Sequence, residues 1–194
     1  MSTPLSHAVG IPSPQPDVER SRIHLRSESL AQRGALGHAG LAVFGIAMAL
    51  TSREPLSIPT FLRWALLLPA SLSCAAALCL PAVYVPWTAR NPRVRPGPIA
   101  RAAVDAIAHA GAAAASIAPI LWFFAVTAPE SSVVIPLGIA FTGLALFAGG
   151  AAFVRTLEAA DLRPREWALA SGFGLFVLTF FQLADSAGLR WMGV

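Results

Sequence analysis

Hydrophobic positions along this chain are gathered into five long runs, which shorter polar segments separate. The runs cover approximately residues 34–51, 61–86, 99–127, 133–154 and 167–186. A hydrocarbon layer of about 30 Å requires roughly 20 helical residues to cross it, and the runs are close to that length or longer. The pattern therefore predicts an all-α fold, a polytopic transmembrane helix bundle with five spans.

A polar segment, residues 1–33, precedes the first run. Its first 17 residues contain four prolines, which predicts a disordered tail. Residues 18–33 carry a thin apolar stripe, so we expect them to form a short helix at the membrane interface. No early apolar core is followed by a cleavage site, so we expect no removable signal peptide. The sequence thus divides into a tail over 1–33 and a helical bundle over 34–194.

The composition agrees with a membrane protein. The chain is 56% hydrophobic and 12% charged, whereas about a quarter of the residues of a soluble domain are charged, and its mean hydropathy is +0.64. All 14 basic residues are arginine, which favours a bacterial source with a GC-rich genome. These arginines are scattered between the apolar runs and form no basic face, so the net charge of +4 does not indicate nucleic-acid binding.

The arginines also predict the orientation of the spans, because cytoplasmic loops of membrane proteins collect basic residues. With five spans and a cytoplasmic N-terminus, the cytoplasmic arginines are Arg20, Arg22, Arg26, Arg33, Arg90, Arg93, Arg95, Arg101, Arg155, Arg163 and Arg165. Only Arg53, Arg63 and Arg190 fall on the other side. Leaving residues 34–51 out of the membrane spoils this segregation, so five spans are favoured. The tryptophans agree, since Trp64, Trp87, Trp122, Trp167 and Trp191 all lie near the ends of the spans, where headgroups attract them.

Ionisable residues occur inside the third run. Arg101, Asp105 and His109 are spaced four residues apart, which places them in one row along a helix. With a rise of about 1.5 Å per residue, His109 lies deepest and approaches the middle of the bilayer. Ionisable residues at such depth are costly and usually face the interior of a bundle. The favoured interpretation is a structural clasp, in which Arg101 neutralises Asp105 and Asp105 accepts the imidazole N–H of His109.

Two functional interpretations of this row stay open. The first is a proton or ion pathway, to which Gln182 and Asp185 of the fifth run would contribute. The second is a haem or chlorophyll ligand, because a tetrapyrrole needs only one histidine and small residues surround His109. We predict no metal site and no cofactor, since a metal needs three or four convergent donors and His38 lies too far from Asp185. The two cysteines, Cys74 and Cys79, are expected to be small buried hydrophobes.

Small residues indicate where the helices pack, because they let transmembrane helices approach closely. They are densest in the third run, which is therefore expected to be central in the bundle. The predicted packing residues are Gly111, Ala115, Gly138, Gly143 and Gly172. The same faces could join other membrane-protein subunits, although an intramolecular bundle is favoured.

The sequence contains no recognised enzymatic constellation. The loops are short, and neither a grouping of serine, histidine and aspartate on one membrane face nor a phosphate-binding loop is present. We therefore predict a protein that is not an enzyme.

Two short motifs carry a resemblance to a known family. Residues 77–87, with Leu80, Pro81 and Tyr84, and residues 117–129, with Ala118, Pro119, Phe123 and Phe124, are similar to small bacterial membrane proteins with the five-span layout of the Yip family. The resemblance covers roughly residues 40–155. It implies a helical bundle that organises membranes or partners, with no catalytic residues.

Together these features predict an integral protein of the bacterial inner membrane, with a cytoplasmic N-terminus and the C-terminus outside. The predicted function is that of an accessory or scaffolding subunit, whose partners are the lipid bilayer and other membrane proteins. A small transporter or channel component is one alternative. A cofactor-associated subunit of a respiratory or photosynthetic complex is the other.

Overall fold

Helices make up the regular structure of the described chain. The computed structural model describes residues 16–51, 57–90, 95–128, 133–160, 162 and 166–186. These residues form α1 (Pro16–Ala49), α2 (Ile58–Arg90), α3 (Pro96–Thr127), α4 (Val134–Ala159) and α5 (Glu166–Ser186). The prediction of an all-α bundle is therefore confirmed. Several predicted positions lie outside the described backbone or side chains: residues 1–15, Arg20, Arg22, Arg26, Arg53, Trp87, Arg90, Arg93, Arg163, Arg165, Trp167, Arg190 and Trp191.

Prolines account for the start of two helices. Helix α3 begins at Pro96 and α1 at Pro16, where the fixed φ of proline suits the first helical position and its missing N–H costs nothing. No proline occurs between Pro16 and Pro55. Helix α1 consequently continues without a break through the predicted interfacial helix and into the first apolar run, which the sequence had separated at residue 33.

Helices α1 and α2 run antiparallel. His38 contacts Ser73 near the middle of both helices, and Gly45, further along α1, lies against Trp64, nearer the start of α2. Helix α2 also packs against α5, where the Cys79 thiol is 4.0 Å from the Thr179 hydroxyl oxygen.

Helix α3 lies between α1 and α4. It runs parallel to α1, because Gly34 lies against Val104 and Gly40 against Gly111, so the contacts advance together along both chains. It runs antiparallel to α4, because Asp105 contacts Thr156 and Leu121, later in α3, lies near Gly138, early in α4. The central place of α3 agrees with the small residues that the sequence concentrates there.

Because the helices alternate in direction along the chain, most of the described arginines lie at the same end of the bundle. The bundle end that holds the start of α3 also holds the end of α2, the end of α4 and the start of α5. Arg33, Arg95, Arg101 and Arg155 all lie toward that end, whereas Arg63 lies near the start of α2 at the other end.

Apolar side chains fill the interior and also cover much of the exterior. Trp64, Phe44 and Phe180 are among the largest fully buried side chains. A cavity lined by residues of all five helices measures only about 10 Å³, which is at the lower limit for one water molecule. Large hydrophobic residues are exposed on every helix, such as Val43, Leu66, Phe123, Phe147 and Leu178.

An apolar exterior of this kind suits lipid rather than water. Three helices are long and apolar enough to cross a membrane, namely α2 over Ile58–Val85, α3 over Pro96–Thr127 and α4 over Val134–Ala159. The apolar part of α5, Gly172–Asp185, is shorter. The membrane character predicted from the sequence is thus supported at three of the five predicted spans.

Candidate functional site: a polar contact among three helices

The side chain of Asp105 joins α1, α3 and α4. It is a buried carboxylate, about 13 Å along α3 from Pro96 at 1.5 Å per residue. Arg33 Nη1 on α1 donates to Asp105 Oδ1 at 3.3 Å, and Thr156 Oγ1 on α4 donates to Asp105 Oδ2 at 3.3 Å. Both carboxylate oxygens therefore accept a hydrogen bond, which offsets the cost of burying the charge.

Close backbone approach brings these side chains together. One turn beyond Arg33, a Cβ on Gly37 of α1 would be 2.6 Å from the carbonyl oxygen of Ile107, two residues after Asp105. On the other side of α3, a Cβ on Gly149 of α4 would be 2.8 Å from the Ala106 carbonyl oxygen. The small residues that the sequence places in all three helices thus allow Asp105 to reach both neighbours.

The ion pair is asymmetric in its exposure. The Arg33 side chain is 62% exposed, whereas the Asp105 side chain is 11% exposed. Water or headgroups can therefore solvate the arginine without the pair, but the aspartate depends on its two donors. An ion pair of this kind stabilises the fold chiefly because it gives the buried carboxylate a hydrogen-bond donor, since exposed ion pairs add little stability by themselves.

The predicted row of Arg101, Asp105 and His109 does not form a chain of side-chain bonds in the described residues. Asp105 is paired with Arg33 rather than with Arg101, and His109 Nδ1 donates to the Asp105 main-chain carbonyl at 2.8 Å, not to the carboxylate. The reason is helical geometry, because a step of four residues exceeds one turn by about 40°. Asp105 faces the neighbouring helices, whereas His109 has turned to the exposed surface.

His109 is held in one orientation by its own helix. The Nδ1–H bond to the Asp105 carbonyl leaves Nε2 as the unprotonated nitrogen of the neutral ring. Small residues lie beside it on the same exposed strip of α3, namely Ala112 and Ser116. His109 therefore presents Nε2 on the exterior of the bundle.

A second polar contact, between His38 and Ser73, was not predicted from the sequence. His38 Nε2 lies 2.7 Å from Ser73 Oγ across the α1–α2 interface, and His38 Nδ1 lies 2.7 Å from the Gly34 carbonyl oxygen. Ser73 Oγ also lies 2.8 Å from the Pro69 carbonyl oxygen. The available signal in the sequence was a histidine in the first apolar run and serines in the second, since polar side chains in transmembrane helices often form hydrogen bonds to a neighbouring helix.

Gln182 and Asp185 are not brought to Asp105 or His109. Both lie near the end of α5 and are exposed, at the opposite end of the bundle from the start of α3. Helix α5 packs mainly against α2. The four polar residues considered for a pathway therefore form two separate groups.

The predicted packing residues differ in their surroundings. A Cβ on Gly111 would overlap the Gly37 carbonyl, and one on Gly138 would be 2.8 Å from the Met48 sulfur. Gly172 has ordinary space, 3.5 Å from Val83, whereas a Cβ on Gly143 would meet nothing within 4 Å. Ala115 is half-buried. Gly111 and Gly138 thus lie at close helix contacts, and Gly143 does not.

Within the described part of the chain, no group of three or more histidine, cysteine, aspartate or glutamate side chains could hold a metal ion.

An open groove lies on the surface of α3. It has a volume of about 350 Å³ and is lined by Pro119, Trp122, Phe123, Val126 and Thr127. It lies at the opposite end of α3 from Asp105.

Comparison with known proteins assigns neither a family nor a function to this chain. No protein family, curated protein or solved structure matches this chain. The resemblance of residues 40–155 to the Yip family stays a prediction.

Proposed function

We propose that this chain is a non-enzymatic, multi-pass protein of the bacterial inner membrane that serves as an accessory or scaffolding subunit for other membrane proteins. In this proposal all five helices span the bilayer. The N-terminus is cytoplasmic, and the C-terminus lies on the other side.

The orientation is supported by the arginines. Described arginines concentrate at the bundle end that holds the starts of α1, α3 and α5, and the positive-inside rule assigns such an end to the cytoplasm. Helix α1 is proposed to span because it is an integral part of the bundle, with Phe44 and Met48 in the core. A helix that packs along α3 in this way shares its depth in the bilayer.

The scaffolding role is supported by the positions of the cavities in which a ligand or partner could bind. The cavity among the five helices measures about 10 Å³, too small for a substrate, while on the exterior exposed aromatic side chains of α3 line the groove of about 350 Å³. Buried polar groups such as Asp105 and Thr142 are already hydrogen-bonded within the protein. Any partner is therefore expected on the outer faces of the helices.

Photo-cross-linking from single positions tests this proposal in living cells. A photoreactive residue at Phe123, which is exposed, is expected to give adducts with another membrane protein, whereas the same residue at Leu121, which is fully buried, is expected to give only internal cross-links. Adducts with lipid alone from Phe123, and likewise from exposed Leu66 and Phe147 on α2 and α4, would contradict a scaffolding role.

His109 favours a second candidate, a cofactor-associated subunit. A histidine whose Nδ1–H is bonded to a main-chain carbonyl presents Nε2 as a metal ligand, and Ala112 and Ser116 beside it leave room for a flat ring. The group would supply light absorption or electron transfer, and His109 would hold its metal. Visible absorption of the protein extracted from its native membrane, compared between wild type and His109→Ala, tests this candidate. A spectrum without any band above the aromatic region would contradict it.

A further inference from the structure

Three arginines on three different helices lie near the level of Asp105 in the bundle. Arg33 on α1 is bonded to its carboxylate, and Arg101 on α3 lies one turn earlier, about 6 Å closer to the helix start. Arg155 on α4 directly precedes Thr156, which is bonded to the other carboxylate oxygen. These side chains therefore lie at one level of the bundle, within about one helical turn.

We propose that Arg33, Arg101 and Arg155, named here the arginine rim, bind the phosphodiester headgroup of an anionic phospholipid. The proposal rests on the membrane placement described above. It assigns to one end of the bundle a specific lipid partner in addition to general contact with the bilayer.

The charges of the rim are only partly neutralised by the protein. Asp105 pairs with Arg33 through Nη1 alone, and the remaining N–H groups of this guanidinium belong to a side chain that is mostly exposed. Arg155 is exposed and Arg101 is half-buried, and neither forms an ion pair with any described residue. The exposed acid on the neighbouring turn of α4 is Glu158. Among the described side chains, these three arginines against the two acids Asp105 and Glu158 leave a net positive charge at this level.

Guanidinium groups suit a phosphodiester because their parallel N–H donors match the spacing of two phosphate oxygens. Asp105 also fixes the position of Arg33, so less side-chain entropy is lost when an anion binds. Clusters of basic residues on transmembrane helices at the cytoplasmic level are a known way of recognising anionic headgroups.

Apolar residues next to the rim favour a lipid over free phosphate. On α1, Leu36 is exposed one turn beyond Arg33, toward the middle of the bundle. On α4, Phe147 is exposed about two turns beyond Arg155 in the same direction. Cations at the edge of an exposed apolar surface match a headgroup with its acyl chains, whereas inorganic phosphate would leave the apolar surface unused.

Native mass spectrometry of the full-length protein tests the inference. The protein is released from nanodiscs that contain phosphatidylcholine with a minor fraction of phosphatidylglycerol, and the lipids that stay bound are counted. Wild type is expected to retain phosphatidylglycerol in excess of its share. Arg101→Gln and Arg155→Gln are each expected to reduce this excess about fivefold, which corresponds to about 1 kcal/mol per arginine near the headgroups.

Arg63→Gln on α2 is the matched control, since it removes the same charge at the opposite end of the bundle. It is expected to leave the excess unchanged, and size-exclusion profiles check that all variants are folded. An equal loss in Arg63→Gln, no preference for phosphatidylglycerol in wild type, or full competition by inorganic phosphate would each overturn the lipid assignment. Failure to enter nanodiscs of any composition would instead contradict the membrane placement, so the two proposals fail in distinguishable ways.

Discussion

Gly111 of α3 lies so close to Gly37 of α1 that a methyl group on Gly111 would overlap the Gly37 carbonyl oxygen. Gly40 is equally restricted on the other side, because its Cβ would overlap the Gly111 carbonyl. Glycine at these positions allows two backbones to touch, which increases the packing contact that holds helices together where the hydrophobic effect does not.

Gly111→Ala is expected to destabilise the bundle by about 1–3 kcal/mol, the usual cost of forcing extra volume into a packed contact. The neighbouring atoms are backbone and cannot rotate away, so α1 and α3 must separate. The effect is measured by heating the protein in mild detergent and recording the temperature at which its monodisperse peak in size-exclusion chromatography is lost. Gly143→Ala on α4 is the control, because a Cβ there meets nothing within 4 Å. Equal midpoints for the two variants would show that the backbones are not in contact.

These two glycines also show what the sequence could not resolve. Both lie in apolar helices among small residues, and composition alone made both of them candidates for packing. Which one lies at a helix crossing depends on the rotation of each helix about its axis, and no residue near Gly143 reveals that rotation. The sequence therefore predicted the helices and the central place of α3 but not the points of closest approach.

The partner of Asp105 shows the same limit. The sequence alone suggests Arg101 as the partner, because it lies four residues from Asp105 in the same helix. The arginine that is bonded to Asp105 in the structure is Arg33, which lies 72 residues away in sequence. Residues that are distant in sequence meet only after the helices have packed. The burial of Asp105 followed from its apolar neighbours, but its partners Arg33 and Thr156 required the structure.

Removing the two members of this ion pair is expected to have unequal effects. Arg33→Gln leaves a buried carboxylate with Thr156 as its remaining donor, and it is expected to cost about 1–3 kcal/mol. Asp105→Asn leaves an exposed arginine that water or headgroups can solvate, and its amide can still bond to Thr156, so its cost is expected to be smaller. Unfolding midpoints of the purified variants give the comparison.

The double variant Arg33→Gln/Asp105→Asn is expected to be about as stable as Asp105→Asn alone, since no buried charge is left without its partner. Arg101→Gln serves as the control and is expected to change stability little, because Arg101 is not bonded to Asp105 in the bundle. If Arg101→Gln were as costly as Arg33→Gln, the pairing described above would be incorrect.

The hydrogen bond between His38 and Ser73 is expected to stabilise the α1–α2 contact. Ser73→Ala removes the partner of His38 Nε2 and should cost about 0.5–2 kcal/mol, the range found for polar contacts between transmembrane helices. Ser116→Ala is a matched control, because Ser116 is exposed and bonds to carbonyls of its own helix. Unfolding midpoints should fall for Ser73→Ala only, and an equal fall for Ser116→Ala would contradict a role across the interface.

Lipid contact can be measured with two tryptophans that lie toward the same end of the bundle. Trp122 on α3 is 58% exposed, whereas Trp64 on α2 is 2% exposed. If the exterior of the bundle faces lipid, brominated acyl chains should quench Trp122 several-fold more strongly than Trp64, because this quenching requires close contact. Each tryptophan is observed alone, in a variant whose other tryptophans are replaced by phenylalanine.

Comparing the quenching of Trp64 and Trp122 distinguishes the burial of each side chain in the protein from its depth in the bilayer. Trp64 lies near the start of α2 and Trp122 near the end of α3, so the antiparallel helices place both indoles toward one surface of the bilayer. A difference in quenching then reports which side chain faces outward, not which lies deeper. Lipids brominated near the headgroup and near the middle of the chain check this, since both tryptophans should prefer the same bromine position. Equal quenching of the two would mean that Trp64 also reaches lipid, and the packing of α2 against α1 would have to differ from that described.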